Sequence, residues 1–185
     1  MLEEPLKTNH IAYIGIGTNA GDKQDKCLKA IPLAGRMKGR TVQARSDFFR
    51  TEPVGVEGQD WYVNGAIALR VRISAPHLLK ALLAIETGMG RERRRKWESR
   101  PIDLDLLFYG SHVICEKNLI VPHPHMHVRR FVLAPMVQLA PDLMHPVLKR
   151  TMAELLASLP EEGQSVMRIR KRGSGTLAAL EAHSF

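Results

Sequence analysis

The chain has few cysteines, few aromatic residues and no long apolar run. Cys27 and Cys115 are its only cysteines, too few for a disulfide framework and wrongly spaced for a zinc motif. No stretch approaches the ~20 consecutive apolar residues that a membrane span needs. The first ten residues are acidic where a signal peptide would be basic, and no apolar run follows them. We therefore expect a cytoplasmic protein with one ordinary domain, which can bury a core without disulfides or structural metals.

Positive charge is in excess, with a formal net charge of +8 over 185 residues. This excess predicts an anionic partner, but it does not distinguish a nucleic acid from a small phosphate compound. The charge is concentrated in residues 91–100 (RERRRKWESR), with a second basic group at 168–172. A basic run is often only a solvated surface, so the neighbouring residues must decide its role.

Hydrophobic periodicity and turn signals predict the order β-α-β-β-α-β. The predicted elements are a strand at 11–16, a helix from Asp22 to about Met37, strands at 41–50 and 62–73, a helix after Ser74, and a strand at 102–109. This order is that of a ferredoxin-like α+β fold, an antiparallel sheet covered by helices on one face. C-terminal additions follow, with helices at 130–139 and 151–159, and then a weakly patterned tail at 161–185.

The third predicted strand alternates in polarity. Val63, Ile67, Leu69, Val71 and Ile73 fall on one face, and arginines fall on the other. A period of two predicts a strand with one face buried and one exposed.

Two connections are longer than a compact domain requires. Residues 51–61 join the two central strands, and residues 88–101 carry the arginines directly into the last core strand. Long loops in a small domain are usually functional or disordered.

Asp103 and Asp105 lie two residues apart in the last core strand, so their side chains point to the same face. We expect Leu104, Leu106 and Phe108 on the opposite face. Two neighbouring carboxylates among apolar residues repel unless a cation compensates them, and magnesium prefers such oxygen ligands together with phosphate oxygens. The alternative is an exposed strand face whose carboxylates form salt bridges with nearby arginines.

The arginine-rich loop favours the metal interpretation. Phosphoryl transfer depends mainly on positioning and on neutralising the charge of the transferred group. Metal-binding carboxylates beside basic residues supply both, and Gly88 and Gly90 would let the loop close over a nucleotide.

In these segments and in several others, the chain resembles the 6-hydroxymethyl-7,8-dihydropterin pyrophosphokinase family. Arg91-x-Arg93, Trp97, Arg100 and residues 102–107 (IDLDLL) are similar to its signature. Further similar segments are residues 14–19 (IGIGTN), 51–55 (TEPVG), 62–64 (YVN), 121–124 (VPHP) and 131–135 (FVLAP).

The resemblance implies a ferredoxin-like α+β fold and transfer of the terminal diphosphate of ATP to the pterin hydroxymethyl oxygen, which leaves AMP. It also implies two Mg2+ ions, with ATP as co-substrate. We expect a monomer in which residues 1–160 form the pyrophosphokinase domain and residues 161–185 form a peripheral tail.

The resemblance also implies roles for particular residues. Asp103 and Asp105 match magnesium ligands, and Arg91 and Arg100 match catalytic arginines. The sequence itself offers no general base at a compelling position, and Asp105 is the best of its candidates. The implied ATP-binding residues are Glu86, Arg91, Trp97, Arg100, Leu106, His123 and Arg129. The implied pterin-binding residues are Thr51, Val54, Tyr62, Asn64 and Phe131, with Tyr62 and Phe131 sandwiching the ring.

Departures from the family pattern are concentrated in the loop before the acidic strand. Glu98 and Ser99 replace the usual Gly-Pro, and Pro101 follows Arg100.

The alternative from another class is a basic ferredoxin-like module that binds nucleic acid, although carboxylates on its sheet face would repel a polyanion. A nearer alternative is single-phosphate transfer, which would yield ADP.

Overall fold

A computed structural model describes residues 9–36, 39–54, 58–91, 101–160 and 162–169. Strands and helices follow one another in this order: β1 (His10–Thr18), α1 (Lys23–Gly35), β2 (Arg40–Arg45), β3 (Phe49–Thr51), β4 (Tyr62–Val71), α2 (Ala75–Gly88), β5 (Asp103–Tyr109), β6 (Ile114–Glu116), β7 (Leu119–Val121), α3 (Arg130–Leu139), α4 (Met152–Ala157) and β8 (Val166–Arg168). A 3-10 turn, Met126–Val128, precedes α3.

The main sheet has the strand order β5-β1-β4-β3-β8, and β2 also pairs with β4. Every pairing in it is antiparallel. Strands β6 and β7 form a separate hairpin. The predicted combination of an antiparallel sheet and packed helices is therefore confirmed.

The helix boundaries follow the capping signals in the sequence. Asp22 caps α1 by accepting a hydrogen bond from the backbone of Asp25. Thr151 and Glu154 form the reciprocal capping box at the start of α4. Pro32 lies inside α1 without ending it.

The single strand predicted at 41–50 is wrong, because the chain forms two strands separated by residues 46–48. At the break, Ser46 Oγ accepts a hydrogen bond from the backbone of Ala66 and donates one to the carbonyl of Asp47. Phe48 is buried against Gly65, where a β-carbon would meet its ring at 2.8 Å. A side chain thus takes over part of the backbone pairing, and the strand is interrupted.

Helices cover both faces of the sheet, whereas one face was expected. Helices α1 and α2 pack on one side around Ile14, Ile67 and Leu82. Helices α3 and α4 pack on the other side, where Leu133 and Met136 meet Phe108 and Ala66. Because its second face is also covered, most of β4 is buried, and the prediction of a half-buried strand is wrong.

Strand β5 contains a bulge. Its register against β1 shifts between Tyr13, paired with Phe108, and Ile14, paired with Leu106, so Leu107 is an extra residue. Leu104 and Leu106 face α1 and α2, as expected. Phe108 lies instead on the α3 side together with Leu107, so its predicted placement is wrong.

The sequence interpretation missed the short strands. It assigned no element to β6 and β7, or to β8 inside the predicted tail. Strand β8 pairs with β3 at the edge of the sheet. The domain boundary at residue 160 remains a prediction, and residues 170–185 lie outside the described residues.

Both cysteines are free thiols, and Cys27 is buried whereas Cys115 is exposed.

None of the described helices combines the length and the apolarity needed to span a bilayer.

Candidate active site

A cavity of about 410 Å³ opens on the sheet face that carries α3. Its walls come from three strands, the β3–β4 loop, the segment after β7 and the start of α3. The lining residues are Gly15, Ile16, Gly17, Glu52, Pro53, Val54, Gln59, Tyr62, Asn64, Gly65, Asp103, Asp105, Leu107, His123, Arg129, Phe131 and Val132.

Asp103 and Asp105 line this cavity from β5. On the adjacent strand β1, Gly17 pairs with Asp103 and Gly15 pairs with Asp105. A glycine beside each carboxylate leaves the neighbouring strand without a side chain, which keeps space open in front of both groups. The strand period and the glycines therefore form a carboxylate-lined floor.

Arg91 contacts one of these carboxylates. Its Nη1 atom lies 2.6 Å from Asp103 Oδ1 and 2.5 Å from Glu86 Oε1. Glu86 is only 2% exposed, and its Oε1 also accepts a hydrogen bond of 2.7 Å from the backbone N–H of Leu104. Burial raises the pKa of Glu86, while the Leu104 hydrogen bond and the Arg91 charge act in the opposite direction. Glu86 thus links α2, Arg91 and β5 from behind the cavity.

Two polar side chains on β4 are oriented by neighbours. Asn64 Nδ2 donates a hydrogen bond of 2.6 Å to Thr51 Oγ1, which is buried on β3. The Tyr62 hydroxyl donates one of 2.8 Å to Gln59 Oε1. These contacts hold an amide and an aromatic ring at the cavity wall.

The opposite wall begins at α3. The Arg129 guanidinium lies over the Phe131 ring, 5.7 Å from its centroid, within the range of a cation–π contact. A backbone hydrogen bond of 3.0 Å from His123 to Leu107 fixes the histidine beside β5. His123 Nδ1 accepts a hydrogen bond from the backbone of His125, so Nε2 carries the proton of the neutral ring. Burial, with the Arg129 charge second, lowers the pKa of His123 to about 4.

The structure brings many of the predicted site residues together in one cavity. These are Asp103, Asp105, Val54, Tyr62, Asn64, His123, Arg129 and Phe131. Three others lie behind it: Thr51 supports Asn64, and Glu86 and Arg91 form the network around Asp103. Leu106 is 4% exposed and packs in the core on the opposite sheet face. Trp97 and Arg100 lie outside the described residues.

Several lining residues were not predicted. Gly15 and Gly17 were given no role in the site, although their alternation on one strand face could have indicated an open floor. Glu52 and Gln59 belong to the long 51–61 connection, whose length was the signal. Leu107 follows Asp103 and Asp105 on the same strand face, so the strand period itself could have indicated it.

The donor set of the cavity fits magnesium. Within the described ranges, no group of three or more His, Cys, Asp and Glu side chains could hold a metal ion. A cage made by protein groups alone is therefore not found there. Mg2+ commonly binds one or two carboxylates and completes its shell with water and substrate phosphates. Asp103 and Asp105 are suited to that arrangement.

The sheet carries a cavity that is lined by two carboxylates, two aromatic rings and an amide, and an arginine side chain bonds one of the carboxylates. These groups define an enzyme that acts on a small molecule. The profile of a family described as "7,8-dihydro-6-hydroxymethylpterin-pyrophosphokinase (HPPK)" matches residues 13–141, more than half of the chain.

Two curated relatives match over nearly their whole length. A "2-amino-4-hydroxy-6-hydroxymethyldihydropteridine pyrophosphokinase" from Methylorubrum extorquens is 38% identical over 152 residues, covering 82% of this chain and 95% of that protein. The protein of the same name from Bacillus subtilis is 34% identical over 167 residues, covering 90% and 94%. The chain therefore belongs to the HPPK family.

Solved structures with a similar fold include the HPPK-DHPS of Plasmodium falciparum in a crystal with pteroate. It superimposes with a TM-score of 0.70 at 14% identity, over 85% of this chain and 43% of that longer chain. At this identity the likeness shows the fold alone. Family membership makes the chain a pyrophosphokinase, a transferase of folate biosynthesis, and the nucleic-acid-binding alternative is not supported.

Proposed function

We propose that this cavity transfers the terminal diphosphate of ATP to the hydroxymethyl group of 6-hydroxymethyl-7,8-dihydropterin and releases AMP. One observation carries the proposal: Asp103 and Asp105 line the same cavity as Tyr62, Asn64 and Phe131. The first pair suits metal-bound phosphates and the last three suit a flat polar ring, so donor and acceptor sites adjoin.

The acceptor occupies the part of the cavity between β4 and α3. Tyr62 and Phe131 supply aromatic faces for the ring. The Asn64 amide offers both donor and acceptor atoms to its polar edge, and its hydrogen bond to Thr51 reduces the reorganisation needed on binding. Val54, at the rim of the β3–β4 loop, closes the site from the side.

The nucleotide's phosphates lie beside Asp103 and Asp105, the residues that would hold two magnesium ions. Bound Mg2+ would neutralise charge along the triphosphate. Arg91 exchanges its contact with Asp103 for a phosphate oxygen, and Arg100 and Trp97 join it from the 92–100 segment. Arg129 adds a further positive charge. His123, neutral near pH 7, donates a hydrogen bond from Nε2.

In the reaction the acceptor hydroxyl oxygen forms a bond to the β-phosphorus of ATP. At the same time the bond breaks between that phosphorus and the oxygen that bridges it to the α-phosphate. The hydroxyl loses its proton, for which Asp105 is the candidate base, and the bridging oxygen leaves with AMP. The chain's own contribution is to orient both substrates and to balance charge on the transferred group.

We also propose that the core of the domain is ferredoxin-like. The order β1-α1-β2/β3-β4-α2-β5 and the sheet order β5-β1-β4-β3 support a ferredoxin-like core whose second strand is split in two. We expect Leu106 to contact the adenine with its backbone, because its side chain is buried on the opposite sheet face. We also expect the enzyme to act as a monomer.

The test is an assay of the nucleotide product with Mg2+, ATP and 6-hydroxymethyl-7,8-dihydropterin. We expect AMP to form in a one-to-one ratio with the pterin diphosphate, and no AMP when the pterin is omitted. ADP as the product would replace the proposal with single-phosphate transfer. Absence of nucleotide turnover by correctly folded protein would refute it.

A further inference from the structure

The segment before β8 joins the two opposite walls of the cavity, although it lies outside the 13–141 region that the family profile matches. On one side it is bonded to Glu52, whose backbone N–H donates a 3.0 Å hydrogen bond to the carbonyl of Ser165. The Ser165 N–H donates in return to Glu52 Oε2 at 3.2 Å. Glu52 is a lining residue at the start of the β3–β4 loop.

On the other side the same segment caps α3. The four N–H groups in the first turn of a helix need acceptors from outside the helix. The side chain of Arg129, the N-cap residue, makes no capping hydrogen bond to the described part of α3. The Gln164 side chain supplies one: Oε1 accepts from the N–H of Arg130 at 2.8 Å, and Nε2 donates to the carbonyl of Val128 at 3.1 Å.

These bonds act on the residues that border the proposed pterin site. The two Gln164 bonds flank Arg129 and lie next to Phe131, while the Ser165 bonds hold the backbone just before Pro53 and Val54. Gln164 does not itself line the cavity. An effect of Gln164 on a ligand must therefore pass through the position of α3.

We propose that Gln164 is a positioning residue for pterin recognition, which together with Ser165 sets the spacing between the Glu52–Val54 wall and the Arg129–Phe131 wall. This inference rests on the proposed function, because it assumes that the ring binds between Tyr62 and Phe131. Without the Gln164 cap, the first turn of α3 loses its hydrogen bonds to the 162–165 segment and keeps those of the Arg130 side chain to Leu159 and Pro160. Phe131 is then held less firmly against the opposite wall. The ATP phosphates depend mainly on Asp103, Asp105 and Arg91, none of which the Gln164 and Ser165 hydrogen bonds contact. Arg129, which the Gln164 bonds flank, is one charge among several at the phosphates, so the effect on ATP should be the smaller one.

The β8 strand also offers a matched control. Arg168 contacts Asp47 through its guanidinium, and Asp47 in turn bonds Gln138 near the end of α3. Arg168→Ala thus removes a side-chain contact that links β8 to the C-terminal end of α3, whereas Gln164 contacts the N-terminal end of that helix. If the role of the segment were only structural, both variants would act alike.

The experiment compares wild type, Gln164→Ala, Gln164→Glu and Arg168→Ala by pterin titration, by steady-state KM values for both substrates and by thermal unfolding. We expect Gln164→Ala to weaken pterin binding about tenfold, from the loss of two hydrogen bonds. Its KM for ATP should change less than about twofold. Gln164→Glu should retain most of the affinity, because a carboxylate still accepts from Arg130 and is favoured at a helix N-terminus.

Arg168→Ala should lower thermal stability and leave pterin affinity unchanged. The inference is overturned if Gln164→Ala binds pterin like wild type, or if both alanine variants lose affinity in proportion to their loss of stability. If Gln164→Ala does not fold, Gln164→Glu decides, because it keeps the bond from Arg130 and loses the one to Val128. A small rise in the KM for pterin with the KM for ATP unchanged supports the proposal, and two unchanged KM values or a KM for ATP raised as much as that for pterin contradict it. Wild-type protein that neither binds nor turns over pterin would instead refute the proposed function.

Discussion

The Asn64 side chain lies so close to Gly17 on the neighbouring strand that a β-carbon at Gly17 would overlap with Asn64 Oδ1. The two residues are direct partners in the β1–β4 pairing. Gly17 is therefore needed for the position of an amide that faces the proposed pterin site.

The first prediction follows from this contact. Gly17→Ala should displace Asn64, break its hydrogen bond to Thr51 and weaken pterin binding about tenfold or more. Gly15→Ala is the matched comparison, because its β-carbon would meet Leu107 at an ordinary 3.6 Å on the same strand face. Its effect falls on the space in front of Asp105 and leaves Asn64 in place. Pterin titration of both variants tests this, and equal affinities in the two would show that the Asn64 position does not matter.

The second prediction concerns the carboxylates. Asp103→Asn should lower kcat on the order of a thousandfold, because a metal ligand's charge is lost. The fold should persist, since Arg91 keeps its contact with Glu86. Asp60→Asn, in an exposed ion pair with Lys23, serves as the control and should retain activity. Near wild-type turnover by Asp103→Asn at saturating Mg2+ would contradict the metal assignment.

The third prediction separates Arg91 from general basicity. Arg91→Ala should reduce kcat about a hundredfold with little change in pterin affinity, because the arginine acts on the transferred phosphates. Arg70→Ala removes a similar charge from the exposed side of β4, where Arg70 bonds Gln43. Rate measurements at saturating substrates compare the two, and equal losses would leave Arg91 without a specific role.

Much of this site could be predicted from the strand period and from local similarity to the family pattern. Asp103 and Asp105 share a face by strand period, and the similarity of residues 62–64 and 131–135 to the family pattern predicted that Tyr62, Asn64 and Phe131 belong to the same site. The structure brings all five together.

The rest depends on long-range packing. The bulge at Leu107 arises from the register of β5 against β1, which no local pattern specifies. The apolar residues of α3 predict burial but not which sheet face they cover. Strand β8 has three residues and is held by partners far away in sequence, such as Asp47. The hydrogen bonds of Gln164 and Ser165 therefore could not be predicted from the sequence around these two residues.

The last prediction concerns the pH dependence of stability. Unfolded histidine takes up a proton near pH 6.5, whereas burial keeps His123 neutral in the folded protein down to about pH 4. Between these values His123 binds more protons in the unfolded state, so its contribution to the free energy of unfolding falls as pH falls from about 6.5 to about 4. His145, whose pKa burial also lowers, adds to the same loss. His123→Gln should therefore show a smaller decrease in unfolding free energy between pH 7 and pH 5 than wild type, and His123→Gln/His145→Gln a smaller one still. Urea denaturation at the two pH values measures these differences, and an unchanged decrease in His123→Gln would mean that this histidine is not held neutral in the fold.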